Sequence, residues 1–394
     1  MPHYEYLIIG GGMTADAAVS GIRELDSAGS IGIISTELDR PYNRPPLTKA
    51  LWKGEPLEKI WRETEKKGVE FHLGRQVETL DIHQKRVVDD QRNIYTFAKL
   101  LLATGGRPRR LPFGEDKIIY YRTLADYRRL RAITEKQKRF VVIGAGFIGS
   151  EIAAALAMNQ KEVVMIFPGK GICDRIFPQD LSQFLNNYYR EKGVETLAGE
   201  SVAGLGARHD ELILKLASGR EVTAAGIVAG LGIQPNIELA QAAGLKVEKG
   251  IVVNEFLQTT QLDVYAAGDV AEFFNPTLAK HIRVEHEDNA NTMGRVAGLN
   301  MAGKSEAYHH LPFFYSDLFE LGYEAVGELD ARLQTFTDWK TPFREGVVYY
   351  LRDGRVRGVL LWNVWGQVDA ARNLISESGP FKADELKGRL PKPS

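Results

Sequence analysis

The sequence predicts an α/β chain with two Rossmann-like domains, the second inserted in the first, and a C-terminal α+β domain. Three observations predict it. Gly10-Gly11-Gly12-Met13-Thr14-Ala15 follows the apolar run Tyr6-Leu7-Ile8-Ile9. Gly144-Ala145-Gly146-Phe147-Ile148-Gly149 follows Phe140-Val141-Val142-Ile143. A third glycine motif, Ala266-Ala267-Gly268-Asp269, ends a later apolar stretch. A lone glycine fingerprint is a weak signal. Two of them, each between a buried-strand pattern and a helix pattern, indicate two dinucleotides on one polypeptide.

The elements follow in order. The run before Gly10 is short and does not alternate, as expected for a central parallel strand buried on both faces. Ala15 to Leu25 shows helical spacing and Ile31 to Ser35 reads as the next strand. Pro41-Tyr42-Asn43-Arg44-Pro45-Pro46 is expected to be irregular, because three prolines fix φ and remove donors. Leu100 to Ala103 is another buried strand. The plan restarts with a strand at 140–143, a helix at 147–158 and a strand at 163–167. Ile227–Ala229 and Val264–Ala267 read as strands, and Asp288 to Met301 as a helix. Beyond Tyr308 the texture changes. Val347–Leu351 and Val359–Trp362, joined by Arg352-Asp353-Gly354-Arg355, read as a hairpin, and Asp369–Ser376 as a helix. The expected domains are 1–115 with 234–306 for the first dinucleotide, 116–233 for the second, and 307–394 at the C-terminus.

Composition excludes several classes. A formal net charge of −1 without a long basic run leaves no electrostatic footprint for nucleic acid or an anionic membrane. No apolar stretch reaches the roughly 20 residues of a membrane span. The first strand starts close to Met1, so no leader is expected and a cytoplasmic location is. Cys173 is the single cysteine, which rules out a dithiol working against a flavin. No zinc, haem or iron–sulfur ligand spacing is present, so no metal is expected.

The fingerprints assign roles. Gly10 and Gly12 allow a tight turn and close approach of a pyrophosphate, with the helix beginning near Thr14 and Ala15 offering free N–H groups. Glu37, after the second strand, is the candidate for the ribose hydroxyls. Gly144, Gly146, Phe147 and Ile148 form the equivalent turn for the nicotinamide nucleotide. The economical reading is a flavin at the first turn and a nicotinamide at the second.

The run Pro41 to Trp52, with Asn43-Arg44-Pro45-Pro46-Leu47-Thr48-Lys49 at its centre, resembles the flavin loop of the apoptosis-inducing factor family. The wider group includes ferredoxin and rubredoxin reductases of oxygenase systems. The likeness continues through Ala103 to Arg109, Gly144 to Glu151, Ala267-Gly268-Asp269, Arg283-Val284-Glu285-His286, Tyr315-Ser316-Asp317, Tyr350 to Asp353 and Val359 to Asn363. It covers nearly the whole chain. The resemblance implies that Arg44 and Arg122 contact FAD, Val77 meets the adenine and Asp269 binds the ribityl chain. It implies that Lys49 lies near flavin N5, paired with Glu151, where a lysine favours charge on the reduced flavin. It places His286 at the start of a helix aimed at the flavin, with Glu287 where the family has a second histidine. Tyr315 matches the aromatic that covers flavin or nicotinamide. Gly232, Glu285, Glu324 and Asn363 match nicotinamide-nucleotide contacts. By residue type alone, Lys49 also reads as a surface lysine, Glu37 as a solvated carboxylate, Glu151 as a helix-start acid, His286 as structural and Tyr315 as core.

One departure concerns the nicotinamide. Gly169 stands where the family has a glutamate, and Arg175 where it has a lysine. A carboxylate there binds the 2′-hydroxyl of NAD and repels the 2′-phosphate of NADP, and an arginine does the reverse. Use of both NADH and NADPH is therefore expected, with Gly169→Glu shifting the balance toward NADH. Lys170 and Arg175 also read as solvated loop charges.

The resulting expectation is an FAD-dependent NAD(P)H oxidoreductase. It would move hydride to flavin N5 and pass electrons to an unidentified acceptor: a quinone, a small redox protein or oxygen. A ferredoxin or rubredoxin reductase is one alternative. A redox-controlled binding protein, dimerising on reduction with incidental turnover, is the other.

Overall fold

The computed structural model describes residues 1–114, 116–208 and 211–390. The expected domain ends at 115 and 394 fall outside them. The chain forms two compact units. The first comprises Met1–Arg44, Leu57–Arg107 and Gln234–Pro312; the second comprises Pro45–Pro56, Pro108–Ile233 and Phe313–Ser394.

The first unit is built on one sheet. His3–Ile9 lies between Ile31–Ser35 and Ile94–Leu102, all parallel, with Val69–Leu73 beyond Ile31–Ser35. Val264–Ala266 joins Ile94–Leu102 in parallel, register Val264 to Leu100. Arg86–Asp89 and Val77–Asp81 extend the other edge antiparallel. Leu7, Ile8, Leu100, Leu101 and Leu102 are fully buried, which is why these runs are continuous rather than alternating. The first glycine helix, Met13–Arg23, packs on the helix Glu287–Met301 through small residues. A Cβ on Gly298 would lie 2.0 Å from the Ala18 carbonyl oxygen, and one on Gly294 2.5 Å from that of Thr14.

The second unit holds a parallel sheet in the order Val194–Ala198, Glu162–Phe167, Arg139–Ile143, Gly226–Ala229, Ile118–Tyr120. The second glycine helix, Phe147–Met158, follows the central strand. An antiparallel group, Val202–Arg208, Glu211–Leu216 and Glu221–Ala224, follows the parallel strands in sequence. The C-terminal part is an antiparallel sheet in the order Phe313–Leu318, Leu321–Gly327, Arg355–Trp362, Glu345–Arg352, Gln334–Thr341, with the helix Val368–Ser376 after it. The expected hairpin turns at Asp353-Gly354, with Arg352 opposite Arg355.

One local expectation is corrected. Pro45-Pro46-Leu47 is a 3₁₀ turn, followed by a second one at Ala50–Lys53. Proline is compatible with a first helical turn, where its missing N–H costs nothing. These turns place Lys49 in the second unit rather than the first.

Candidate flavin and nicotinamide sites

In the first unit, Gly10 has φ +115, and a Cβ there would lie 2.1 Å from the Ala103 carbonyl oxygen. The turn is pressed against a strand end and tolerates only glycine. Gly12 is different: its Cβ would meet only the Arg44 guanidinium, at 4.0 Å. The open face of the turn is thus bordered by a cation. Glu37 holds that cation through an ion pair and also accepts the Tyr42 hydroxyl at 2.6 Å. Burial works against the Arg44 charge, but Glu37 and Tyr42 outweigh it and raise the guanidinium pKa. The cradle, the helix N-terminus and Arg44 together fit a dinucleotide pyrophosphate.

The remaining predicted residues of this unit surround the same core. Ala15 and Val77 are buried in it. Thr14 packs so closely on Gly268 that a Cβ there would lie 2.3 Å from Thr14 Oγ1. Asp269 sits in the 3₁₀ turn Gly268–Val270, and its carbonyl accepts Arg283 Nη1 at 2.9 Å. Arg283 also pairs with Glu285 at 2.6 Å. His286 caps the helix Glu287–Met301. Burial lowers its imidazole to about 4, despite the carboxylates of Asp269 and Asp288, so it is neutral at pH 7.

In the second unit, Gly144 has φ +100 and Gly149 packs on it, its Cβ position 2.0 Å from the Gly144 carbonyl oxygen. A Cβ on Gly146 would meet nothing within 4 Å, so this turn too has an open face. Ile148 is 37% exposed beside it, and Phe147 makes an edge contact with Phe314 at 5.1 Å. Gly232, at φ +82, accepts the Arg109 N–H at 2.9 Å.

Lys49 and Glu151 meet. Their charged atoms are 2.6 Å apart, with Lys49 12% and Glu151 5% exposed. Glu151 also accepts Thr48 Oγ1 at 2.5 Å and Ser316 Oγ at 2.6 Å. The Lys49 ammonium lies 5.3 Å from the centre of the Tyr315 ring. Three donors compensate a carboxylate that burial alone would disfavour. Sequence reading missed Thr48 and Ser316 as parts of this cluster. The only signal was their adjacency to Lys49 and Tyr315.

Glu324 stands opposite Tyr315 in the strand pair Phe313–Leu318 and Leu321–Gly327. Glu324 accepts the Gly366 N–H at 3.0 Å, and burial raises its carboxyl pKa. Asn363, at φ +49, accepts the Gly322 N–H at 2.6 Å. Arg122 precedes a capping box at Thr123 and Asp126. Arg175 is exposed and its carbonyl accepts the Ala331 N–H. The Cys173 thiol is pushed up to about 12 by burial and is inert.

The expectation for Gly169 needs correction. A Cβ there would lie 2.2 Å from Asp174 Oδ2. The space is filled by another acid, so Gly169→Glu cannot simply be added.

Residues 4–294 match the model of the pyridine nucleotide-disulphide oxidoreductase family. The chain belongs to this family. Residues 297–342 and 336–377 match the C-terminal domain of mitochondrion-associated apoptosis-inducing factor. Within the family, the chain is 33% identical to mitochondrial apoptosis-inducing factor 1 of Dictyostelium discoideum, over 94% of this chain and 78% of the relative. It is 32% identical to the ferredoxin–NAD(+) reductase component of the anthranilate 1,2-dioxygenase system of Burkholderia cepacia, over 94% of each. Its fold matches putidaredoxin reductase in the covalent complex with putidaredoxin, with TM-score 0.91 and 28% identity over 98% of this chain and 96% of that one. As a member of this pyridine nucleotide-disulphide oxidoreductase group, the chain is an FAD-dependent NAD(P)H oxidoreductase of the apoptosis-inducing factor-like kind. No helix among the described residues is long and apolar enough to cross a membrane.

Proposed function

We propose that the protein draws electrons from NAD(P)H and delivers them to a small redox protein or a quinone, with Lys49, Glu151 and Tyr315 at the point of transfer. FAD, held at the Gly10–Ala15 turn, would supply the redox chemistry there. The chain's residues do the positioning. Arg44, fixed by Glu37, neutralises the pyrophosphate at the open face of Gly12. Lys49, fixed by Glu151, keeps a positive charge in a site where little water competes for it. Neutral His286 leaves the positive end of its helix as the local charge. The open turn at Gly146 takes the nicotinamide dinucleotide, with Glu324 and Asn363 as further contacts. The observation that carries this reading is the buried Lys49–Glu151 pair beside the Tyr315 ring. The division into 1–115 with 234–306, 116–233 and 307–394, and a cytoplasmic location, belong to the same proposal.

Similarity to a reductase joined to its redox protein favours a ferredoxin-type acceptor as the second reading. The test is turnover of purified holoprotein with NADH or NADPH against ferricyanide, a quinone and a [2Fe–2S] ferredoxin. Sizing with and without NADH is run alongside. Fast reduction of at least one acceptor is expected. Flavin that neither nucleotide bleaches would sink the reading. Sluggish turnover with a shift to dimer on reduction would favour the redox-controlled binding protein.

A further inference from the structure

We propose that Asp174 reads the adenosine ribose of the nicotinamide and makes the protein selective for NADH over NADPH. This rests on the Gly144–Gly149 turn being the nicotinamide site. Nicotinamide folds of this type place an acid just past the second strand. Here that strand is Glu162–Phe167, and the chain continues through Pro168 to Gly169, which has no side chain. The carboxylate is nevertheless present. From the position a Cβ would take on Gly169, Asp174 Oδ2 is 2.2 Å away, Cγ 2.8 Å and Oδ1 3.0 Å. An acid delivered from five residues later occupies the start of the path that a side chain at 169 would take.

The loop is braced to hold it there. The Cys173 N–H donates to the Ala145 carbonyl at 2.8 Å, tying the neighbour of Asp174 to the glycine turn itself. Cys173 has φ +56, which turns the chain so that this bond and the Asp174 position coexist. On the other side, Asn186 accepts the Ile172 N–H at 3.1 Å and donates to the Lys170 carbonyl at 2.9 Å. Ser182 Oγ donates to the Ile172 carbonyl at 2.7 Å. The Gly199 N–H donates to the Gly169 carbonyl at 2.9 Å.

Asp174 itself is partly exposed. Its Oδ2 accepts the Lys170 N–H at 2.9 Å, and its Oδ1 accepts no hydrogen bond among the described residues. One oxygen sets the orientation and the other remains an acceptor for a ribose hydroxyl. A 2′-phosphate, at about −1.5 to −2 charge, would meet the same carboxylate and be repelled. Lys170 and Arg175 are exposed and can turn toward solvent, whereas Asp174 is fixed. The fixed charge decides the preference, in place of the dual use expected from Gly169 and Arg175 alone.

The experiment measures calorimetric binding of ADP-ribose and 2′-phospho-ADP-ribose to flavin-loaded protein, with NADH and NADPH kcat/KM beside it. Variants are D174N, D174A, R175A and the double exchange G169E/D174G. D174N keeps an acceptor for Lys170 while removing the charge. The wild type is expected to prefer ADP-ribose by at least about 30-fold, and D174N to narrow that ratio at least about tenfold. G169E/D174G, which clears the carboxylate from the Cβ position, should restore the preference to within about threefold of wild type. R175A should leave the preference standing. Ratios unchanged to within about twofold in both D174N and D174A would overturn the proposal and leave Asp174 as a loop brace. A wild type without preference would overturn it as well. Failure of the wild type to bind either ligand would overturn both this and the nicotinamide reading, which separates the two failures.

Discussion

At the scale of single residues, the buried pair is the most informative. Removing one partner of a buried ion pair leaves an uncompensated charge, at a cost of roughly 3–5 kcal/mol. Glu151→Gln should therefore lower stability by a sizeable part of that range, since Lys49, Thr48 and Ser316 all face it. Lys49→Ala tests function more cleanly. Stopped-flow bleaching of the flavin band by NADH should slow about 10- to 100-fold, with FAD affinity nearly unchanged. An unaltered bleaching rate would remove Lys49 from the transfer site. His286 gives a pH dependence. Its folded value, about 4, lies below its ordinary value near 6.5, so the native state disfavours the imidazolium. Stability is complete above pH 6.5 and is lost as pH falls toward 4, by roughly 2 kcal/mol after discounting for partial exposure. A His286→Asn variant should flatten the fall of Tm across that window. The residue scale is also where sequence reading was weakest. Gly169 was legible as a missing acid, but Asp174 was not legible as its replacement, because the two meet only through the loop's turn at Cys173.

At the scale of elements, the glycine turns and their strands were legible because buried parallel strands leave continuous apolar runs. The helix Phe147–Met158 carries the expected bounds. Less legible was the group Val202–Arg208, Glu211–Leu216 and Glu221–Ala224, whose strands are short, with Gly204 and Gly206 weakening the strand signal of the first. The turn at Pro45–Leu47 was hidden by its prolines. The glycines themselves divide into packing and binding positions, which a contrasting pair of variants separates. Gly298→Ala puts a Cβ 2.0 Å from the Ala18 carbonyl and must push two helices apart. Overpacking of that kind costs about 1–3 kcal/mol or more, readable by urea denaturation. Gly146→Ala meets nothing within 4 Å and keeps an allowed φ of −80. Its stability should stay within about 0.5 kcal/mol of wild type, while NADH binding falls at least about tenfold. Equal destabilisation by both variants would mean that Gly146 is a packing glycine and not part of a nucleotide cradle.

At the scale of the whole molecule, the two glycine turns belong to different compact units. Each unit has its own sheet with a parallel core, its own turn with an open face and its own glycine helix, so each carries the local requirements of one nucleotide site. That architecture makes the two binding events separable by mutation. Gly12→Glu fills the open face beside Arg44 with a side chain that pairs with that cation and competes with a pyrophosphate. The purified variant should lose its yellow colour. The turn at Gly144–Gly149 depends on contacts with Gly230 and Cys173, all within the second unit, and none of them is altered. ADP-ribose should consequently bind the colourless variant with an affinity within about threefold of wild type, well under 1 kcal/mol of difference. The reciprocal variant, Gly146→Glu, should stay yellow and lose ADP-ribose. Thermal melts with each ligand check both arms, since a ligand that binds only the folded state raises Tm by an amount set by its concentration relative to Kd. Loss of both ligands from either variant, with the fold intact by circular dichroism, would show that the sites do not stand alone and that the flavin is required before the nicotinamide can bind.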